Sequence, residues 1–196
     1  MASQPSTLLT PDEYLELEVQ TEYRNEYLNG EVFAMAGASV AHGHIALNIS
    51  WRLASQLEGS PCAVQVAELR IRTGDRSMYT YPDVVVFCGK ADIEKYKGTD
   101  TVGNPTVIIE VLSPSTEAYD RGVKFQRYQG IATLMEYVLV SQDKVLLERY
   151  VRQSNGEWLY SSVNSLEDSL QLSSVPARLK LSDVYQRVFP VIEDSK

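Results

Sequence analysis

The chain has 196 residues, of which 44% are hydrophobic and 22% are charged. This length and this apolar fraction predict a single domain over residues 1–196, with an ordered core from about 10 to 190, and they exclude a disordered chain. The formal net charge of −8 argues against a general nucleic-acid coat protein, because such a protein binds by neutralising phosphates. It does not exclude a nuclease, since a metal site without its metal is itself acidic.

Signals for a membrane or for export are missing from the sequence. No window of 18 consecutive apolar residues is present, so we expect no transmembrane helix, and the N-terminus lacks the charged and apolar regions of a signal peptide. We therefore expect a cytoplasmic protein without a membrane partner. The two cysteines, Cys62 and Cys88, stand in apolar surroundings without metal-ligand spacing, which predicts buried free thiols.

The N-terminal part of the chain predicts a helix, a hairpin and a second helix. Thr10, followed by proline and then by Glu13, forms a capping box that starts a short helix. Residues 22–36 predict a hairpin, because Asn29-Gly30 is a strong two-residue turn signal. Apolar residues at helical spacing then predict a helix over residues 40–57.

The rest of the chain predicts mainly strands. Residues 63–72 predict one strand with a bulge near Ala67, where the alternation slips. A buried strand over Asp83–Cys88 is followed by a polar loop over residues 89–104. The remaining predicted elements are strands at 107–112, 134–140, 145–151 and 157–163, a helix through 120–128 and a closing helix at 181–188.

Two of these strands carry one acid each. Glu110 interrupts a nearly continuous apolar run, and a carboxylate there is costly unless it is paired or binds a cation. Asp83 stands at the start of the other strand. Two carboxylates on neighbouring strands, with a strand carbonyl, provide the oxygen ligands that Mg²⁺ prefers. The alternative is that Asp83 caps a turn and Glu110 pairs with an arginine in the core.

The helix after the Glu110 strand presents a polar face. Asp120, Lys124 and Tyr128 stand at i, i+4 and i+8, so they lie along one side of the helix. Lys124 is a candidate for holding an attacking water or for stabilising charge on a phosphate. The alternatives are a surface ion pair between Lys124 and Asp120 and a core position for Tyr128.

The sequence also contains weaker candidates for site residues. Glu31 follows the hairpin turn and is either a helper at the metal site or a solvated charge. His42 is separated from His44 by two positions, so the two point to different helix faces and a zinc site is not expected. Ser113 and Ser115 lack the nucleophile-elbow context, and helix capping explains both better.

The spacing of these residues resembles a known group. Pro82-Asp83 on one strand and Glu110 on the next resemble the PD-(D/E)XK nuclease superfamily. The chain more closely resembles the Uma-type group of restriction-endonuclease-like proteins. The stretches that carry this resemblance are Glu26–Glu31, His42, Pro82–Val85 and Glu110–Ser115, followed by Asp120, Lys124 and Tyr128.

The resemblance implies an α/β (α+β) fold with a restriction-endonuclease-like core, in which helices flank a central mixed β-sheet and an N-terminal helix and hairpin are added. It implies phosphodiester hydrolysis in DNA with Mg²⁺ or Mn²⁺ held by Asp83 and Glu110, and with Glu31 or His42 assisting. The superfamily motif expects lysine two residues after the acid, but this chain has Leu112 there. The resembling group supplies its lysine from the following helix, which points to Lys124.

A second function class stays open. The acidic composition and the displaced lysine are also compatible with a non-catalytic module that keeps the nuclease fold to bind DNA or a protein partner. For either class we expect a homodimer, because the predicted strands at 145–151 and 157–163 offer exposed edges and two-fold dimers are the commonest oligomers.

Overall fold

The computed structural model describes residues 8–35, 37–66 and 69–189. Helix α1 (Pro11–Gln20) begins at the predicted capping box, in which the Thr10 hydroxyl accepts the backbone N–H of Glu13. The predicted hairpin follows as β1 (Asn25–Leu28) and β2 (Glu31–Ala34). Its two turn residues both have positive φ, 49° for Asn29 and 98° for Gly30, as a tight hairpin turn requires. Residue 36, the end of the predicted hairpin, lies outside the described residues.

The remaining elements follow in chain order. The helical ones are α2 (Val40–Gln56), α3 (Glu117–Tyr119), a π turn (Asp120–Lys124), α4 (Phe125–Tyr128) and α5 (Leu181–Val184). The strands are β3 (Cys62–Val66), β4 (Arg70–Arg72), β5 (Met78–Thr80), β6 (Val84–Cys88), β7 (Ile93–Tyr96), β8 (Thr99–Val102), β9 (Val107–Leu112), β10 (Glu136–Ser141), β11 (Leu147–Arg152), β12 (Trp158–Val163), β13 (Ser169–Gln171) and β14 (Arg178–Lys180).

Two six-stranded sheets contain twelve of these strands, and β13 and β14 form a separate two-stranded sheet. The central sheet has the order β12-β11-β10-β9-β6-β3, and the second sheet has the order β2-β1-β5-β4-β8-β7. In the central sheet β9 and β10 run parallel and the other neighbours run antiparallel, so the predicted mixed sheet is confirmed. A parallel pair needs a crossover connection, and here the crossover carries α3, the π turn and α4 over one face of the sheet.

The hydrophobic core lies on both faces of the central sheet. On one face, valines and isoleucines of β6, β9 and β10 pack against α2 and α5. On the other face, the helical crossover and residues of the second sheet cover the strands. A third cluster joins α1 to the second sheet through the packed rings of Tyr14, Tyr27 and Tyr79, of which Tyr14 and Tyr27 are stacked. The predicted arrangement of helices flanking a mixed sheet is therefore confirmed.

Three predicted elements are wrong. The single strand over residues 63–72 is two strands in different sheets, β3 and β4, and the predicted bulge at Ala67 lies outside the described residues. The predicted loop over 89–104 contains the hairpin β7–β8, whose turn at Lys97 and Gly98 has positive φ at both positions. The closing helix ends at Val184 rather than at 188, and Arg187 adopts a φ of 64° that no α-helix can continue.

The free thiols predicted at Cys62 and Cys88 are also wrong. The two residues lie opposite each other across β3 and β6 and form a disulfide. The sequence separation of 26 residues gave no sign of this pairing, which follows from the register of two strands. Disulfides are rare in cytosolic proteins, so the expected cytoplasmic location stays a prediction. Among the described residues, no helix has the length and apolarity that crossing a membrane requires.

Reduction of this disulfide is expected to lower the free energy of unfolding by about 3 kcal/mol, because the crosslink closes a loop of intermediate length in the unfolded chain. The measurement is urea unfolding, followed by tryptophan fluorescence, with and without a phosphine reductant. The Cys62→Ala/Cys88→Ala double variant is the control, since its midpoint should not respond to reductant. Equal midpoints for the oxidised and the fully reduced wild type would contradict the prediction.

Of the two strands predicted to offer an edge for dimer formation, only one is an edge strand in the structure. β11 lies inside the central sheet between β10 and β12, so it offers no edge. β12 is the outermost strand on that side, and Leu159 and Tyr160 on it are 59% and 50% exposed. Homodimer formation itself stays a prediction.

Candidate functional site

Glu110 stands near the C-terminal end of β9 and is 3% exposed. On β9 it shares a face with Ile108 and Leu112, which belong to the core beneath the helical crossover. Val84 of β6 pairs with Ile109 of β9 in an antiparallel register. Extended by one residue, this register places Asp83 opposite Glu110. The two predicted metal ligands are therefore cross-strand neighbours on one face of the sheet.

The helical crossover brings its polar side chains onto Glu110. Nζ of Lys124 lies 2.9 Å from Oε1 of Glu110 and 3.3 Å from Oδ1 of Asp120. The hydroxyl of Tyr128 donates to the same Glu110 oxygen at 3.1 Å and bonds with the Thr80 hydroxyl at 2.7 Å. The predicted helix face is thus buried over the end of β9, and the surface position considered for Lys124 is wrong.

A π turn carries this face. Its five residues run from Asp120 to Lys124 between two short α-helical segments. The hydroxyl of Tyr137 donates to the carbonyl of Asp120 at 3.0 Å, which ties the turn to the core. π turns occur frequently at functional sites, and the sequence contained no signal for this one.

Lys124 is 5% exposed and is surrounded by carboxylates. Besides Glu110 and Asp120 it contacts Glu26, whose Oε1 lies 3.0 Å from its Nζ. Burial opposes the charge on Lys124, but the carboxylates of Glu110 and Glu26 outweigh it and raise its pKa well above the usual lysine value. Lys124 is therefore a protonated ammonium at neutral pH.

The acids of this cluster outnumber its cation. Burial raises the pKa of Glu110 well above its usual range, although the charge of Lys124 acts in the opposite direction. Burial also raises the pKa of Asp120, again against the effect of Lys124. Such excess negative charge in a buried place favours the binding of further positive charge.

Asp83 is held by two hydrogen bonds at the mouth of this cluster. Its Oδ1 lies 2.7 Å from Nε2 of His42, and its Oδ2 accepts the backbone N–H of Val111 at 2.7 Å. His42 comes from the first turn of α2, whose N-cap is Ser39. Burial lowers the pKa of this imidazole, but the bond to Asp83 outweighs burial and the pKa is raised.

Glu31 is the predicted site residue that the fold does not bring in. It is exposed on β2 opposite Leu28, and no hydrogen bond or ion pair among the described residues joins it to Glu110 or Lys124. Glu26 takes the position beside Lys124 that was predicted for Glu31, because it lies two cross-strand pairs farther from the turn, on the buried strand β1. The available signal was that both acids flank the same Asn-Gly turn on one face of the hairpin.

Ser113 and Ser115, for which helix capping was predicted, lie in the turn before α3, whose N-cap is Thr116. The Ser113 hydroxyl accepts the backbone N–H of Thr116 at 3.3 Å and lies 3.0 Å from the Ser115 hydroxyl, so both serines belong to the turn before α3. His44 follows His42 by two positions on α2 and has no described bond to Asp83 among the residues that the structure covers.

The donor set fits a hard divalent cation in its chemistry. Asp83 and Glu110 offer carboxylate oxygens from neighbouring strands, and Mg²⁺ is commonly held by one or two carboxylates together with water. Within the described residues, no group of three or more histidine, cysteine, aspartate or glutamate side chains converges as a ready-made metal centre. The arrangement therefore suits a cation that keeps much of its water.

Comparisons with known proteins agree with this architecture. The chain is 35% identical over 184 residues to the uncharacterized protein slr1290 of Synechocystis sp., covering 94% of this chain and 95% of that protein. It is 32% identical over 170 residues to the uncharacterized protein sll1609 of the same organism, covering 85% and 93%.

A solved structure shares the fold. It is the crystal structure of a putative nuclease belonging to DUF820 from Anabaena variabilis, with a TM-score of 0.75 and 20% sequence identity, covering 92% of this chain and 99% of that one. The sequence profile of the family described as "Uma2: Putative restriction endonuclease" matches residues 11–183. The resemblance noted in the sequence is thereby confirmed, and the chain belongs to the Uma2 family.

Proposed function

We propose that the chain is an endonuclease that hydrolyses phosphodiester bonds in DNA with the help of Mg²⁺ or Mn²⁺. The observation that carries the proposal is the buried, protonated Lys124 at the end of β9, within 3.3 Å of three carboxylates and beside the Asp83–Glu110 pair. A buried ammonium amid perturbed acids is more typical of a reaction site than of a structural core.

Each residue has a defined task in this proposal. Asp83 and Glu110 would hold the cation, which when bound would supply positive charge to the scissile phosphate. Lys124 donates a hydrogen bond to the attacking water or to the negative charge that builds on the phosphate. His42 fixes the orientation of Asp83, and Tyr128 fixes that of Glu110, so both are positioning residues.

A second candidate is a nuclease-fold module that binds DNA or a protein partner without cleaving. One observation favours it: both oxygens of Asp83 accept hydrogen bonds and Lys124 already contacts three acids, so the cluster is stable without a substrate. The two candidates differ in whether bound cation leads to strand cleavage.

Asp83→Asn is expected to weaken binding of Mg²⁺ and Mn²⁺ at least about tenfold and to remove cleavage, because the amide keeps the shape of the side chain but loses its charge. The measurement is a calorimetric cation titration beside a cleavage assay with Mn²⁺ on mixed single-stranded and duplex DNA. Asp12→Asn is the matched control, since the Asp12 side chain is 76% exposed and lies on α1. Cation affinity that is equal in wild type and Asp83→Asn would exclude the site, and cation binding without cleavage would favour the binding module.

A further inference from the structure

An exposed aromatic side chain borders the candidate site. Phe33 on β2 is the cross-strand partner of Glu26 on β1. Partners in an antiparallel pair project from the same face, so the ring of Phe33 lies beside the carboxylate that contacts Lys124. Phe33 is nevertheless 47% exposed, although an aromatic ring of this size is usually buried.

Two more large apolar side chains are exposed on the chain between Phe33 and His42. Met35 lies on the same face two residues farther on and is 37% exposed, and its N–H donates to the carbonyl of Arg24 at 2.9 Å. Val40, the first residue of α2, is 78% exposed and precedes His42 by two positions. The apolar rim, defined as Phe33, Met35 and Val40, thus spans from the Glu26 hairpin to the His42 helix.

The chemistry of this exposed surface fits a nucleobase. The net charge of −8 makes non-specific attraction to phosphates weak, so affinity for a nucleic acid has to come largely from other contacts. Stacking on aromatic side chains is such a contact, and it accepts any base because every base has a π face. In a duplex these faces are covered by neighbouring bases, whereas a single strand can present them.

We propose that Phe33 stacks on a base of the substrate next to the Lys124 cluster, and that the protein therefore binds single-stranded DNA. This inference rests on the proposed function, since it assumes that the substrate at the cluster is a nucleic acid.

The test is fluorescence anisotropy with three labelled probes of equal length: an oligothymidylate, a duplex, and an abasic deoxyribose-phosphate chain. The buffer contains Ca²⁺, which takes the same oxygen ligands as Mg²⁺. We expect the oligothymidylate to bind about tenfold more tightly than either of the other probes, because stacking on one ring contributes on the order of that factor. Equal affinity for the oligothymidylate and the abasic chain would overturn the inference.

Substitutions at Phe33 distinguish stacking by an aromatic ring from contact with any large apolar side chain. Phe33→Ala and Phe33→Leu should both lose about tenfold in affinity for the oligothymidylate, whereas Phe33→Trp should retain it. Trp51→Ala is the matched control with unchanged affinity, because Trp51 is an aromatic residue on α2, 57% exposed and outside the apolar rim. Thermal melting of Phe33→Leu verifies that the fold is intact. Unchanged affinity in Phe33→Ala would overturn the inference.

The readout distinguishes this inference from the proposed function. Phe33-dependent binding of the oligothymidylate, together with no Mn²⁺-dependent cleavage of any DNA, would support stacking and refute the endonuclease. Cleavage of single-stranded DNA, at a concentration below saturation, that is as fast in Phe33→Ala as in wild type would support the endonuclease and refute stacking.

Discussion

Lys124→Met is expected to abolish cleavage and to lower the free energy of unfolding at neutral pH by about 3–5 kcal/mol. Methionine fills a similar volume but removes the ammonium that Glu26, Glu110 and Asp120 share. These buried acids would then lack their common counter-charge, and leaving buried charges unpaired is among the most destabilising changes. The cleavage rate should fall by roughly 10²–10⁴-fold, the range for losing a positioned proton donor.

The pH dependence of this variant follows from the acids that it leaves behind. Burial already raises the pKa values of Glu110 and Asp120 in the folded state, and without the ammonium they rise further above those in the unfolded chain. The native state then binds more protons than the unfolded state, so the deficit against wild type is largest at neutral pH and shrinks as pH falls toward about 4.3. Urea unfolding of both proteins across this pH range measures the difference.

Two comparisons make the Lys124 result specific. Lys124→Arg should also be nearly inactive, because a planar guanidinium cannot replace a compact ammonium between three oxygens. Lys95→Met is the matched control, since the Lys95 side chain is 75% exposed, and its stability should change by no more than about 0.5 kcal/mol. Retained cleavage in Lys124→Met would move the catalytic role elsewhere and remove the main support for the proposed mechanism.

The parts of the site that local sequence encodes could be predicted. The apolar run with Glu110 at its end required a buried strand, and the spacing of Asp120, Lys124 and Tyr128 required one helix face. A short connection from strand to helix then forces this face back over the strand end. The proximity of Lys124 and Glu110 therefore follows from residues within one stretch of the chain.

The parts that depend on distant pairing could not be predicted. Glu26 reaches Lys124 because β1 pairs with β5 in the second sheet, and nothing in the hairpin sequence specifies that neighbour. The disulfide likewise depends on the register between β3 and β6. The division of residues 63–72 between two sheets could not be predicted, because the residues of both strands alternate between apolar and polar in a similar way.

Glu110→Gln is expected to remove activity while leaving the fold as stable as wild type or more stable. The amide keeps the shape of the side chain, and its oxygen can still accept from Lys124 and Tyr128. It removes one of the three acids around one ammonium, which retains Glu26 and Asp120 as partners. The free energy of unfolding should therefore stay level or rise by roughly 1 kcal/mol, whereas cleavage should fall by roughly 100-fold or more.

The sign of the pH effect distinguishes this result from a general change in packing. Because burial raises the pKa of Glu110, the native state keeps a proton that the unfolded chain has already lost above about pH 4.3. Wild-type stability is thus reduced as pH rises through this window, and glutamine, which does not titrate, escapes the reduction. In thermal melts with EDTA, the stability of Glu110→Gln relative to wild type should increase from about pH 4.3 upward. If the stability of Glu110→Gln relative to wild type instead falls as pH rises, the charged Glu110–Lys124 pair stabilises the fold. Glu110 would then be a structural ion-pair partner, and not an acid that destabilises the fold but is needed to bind a cation.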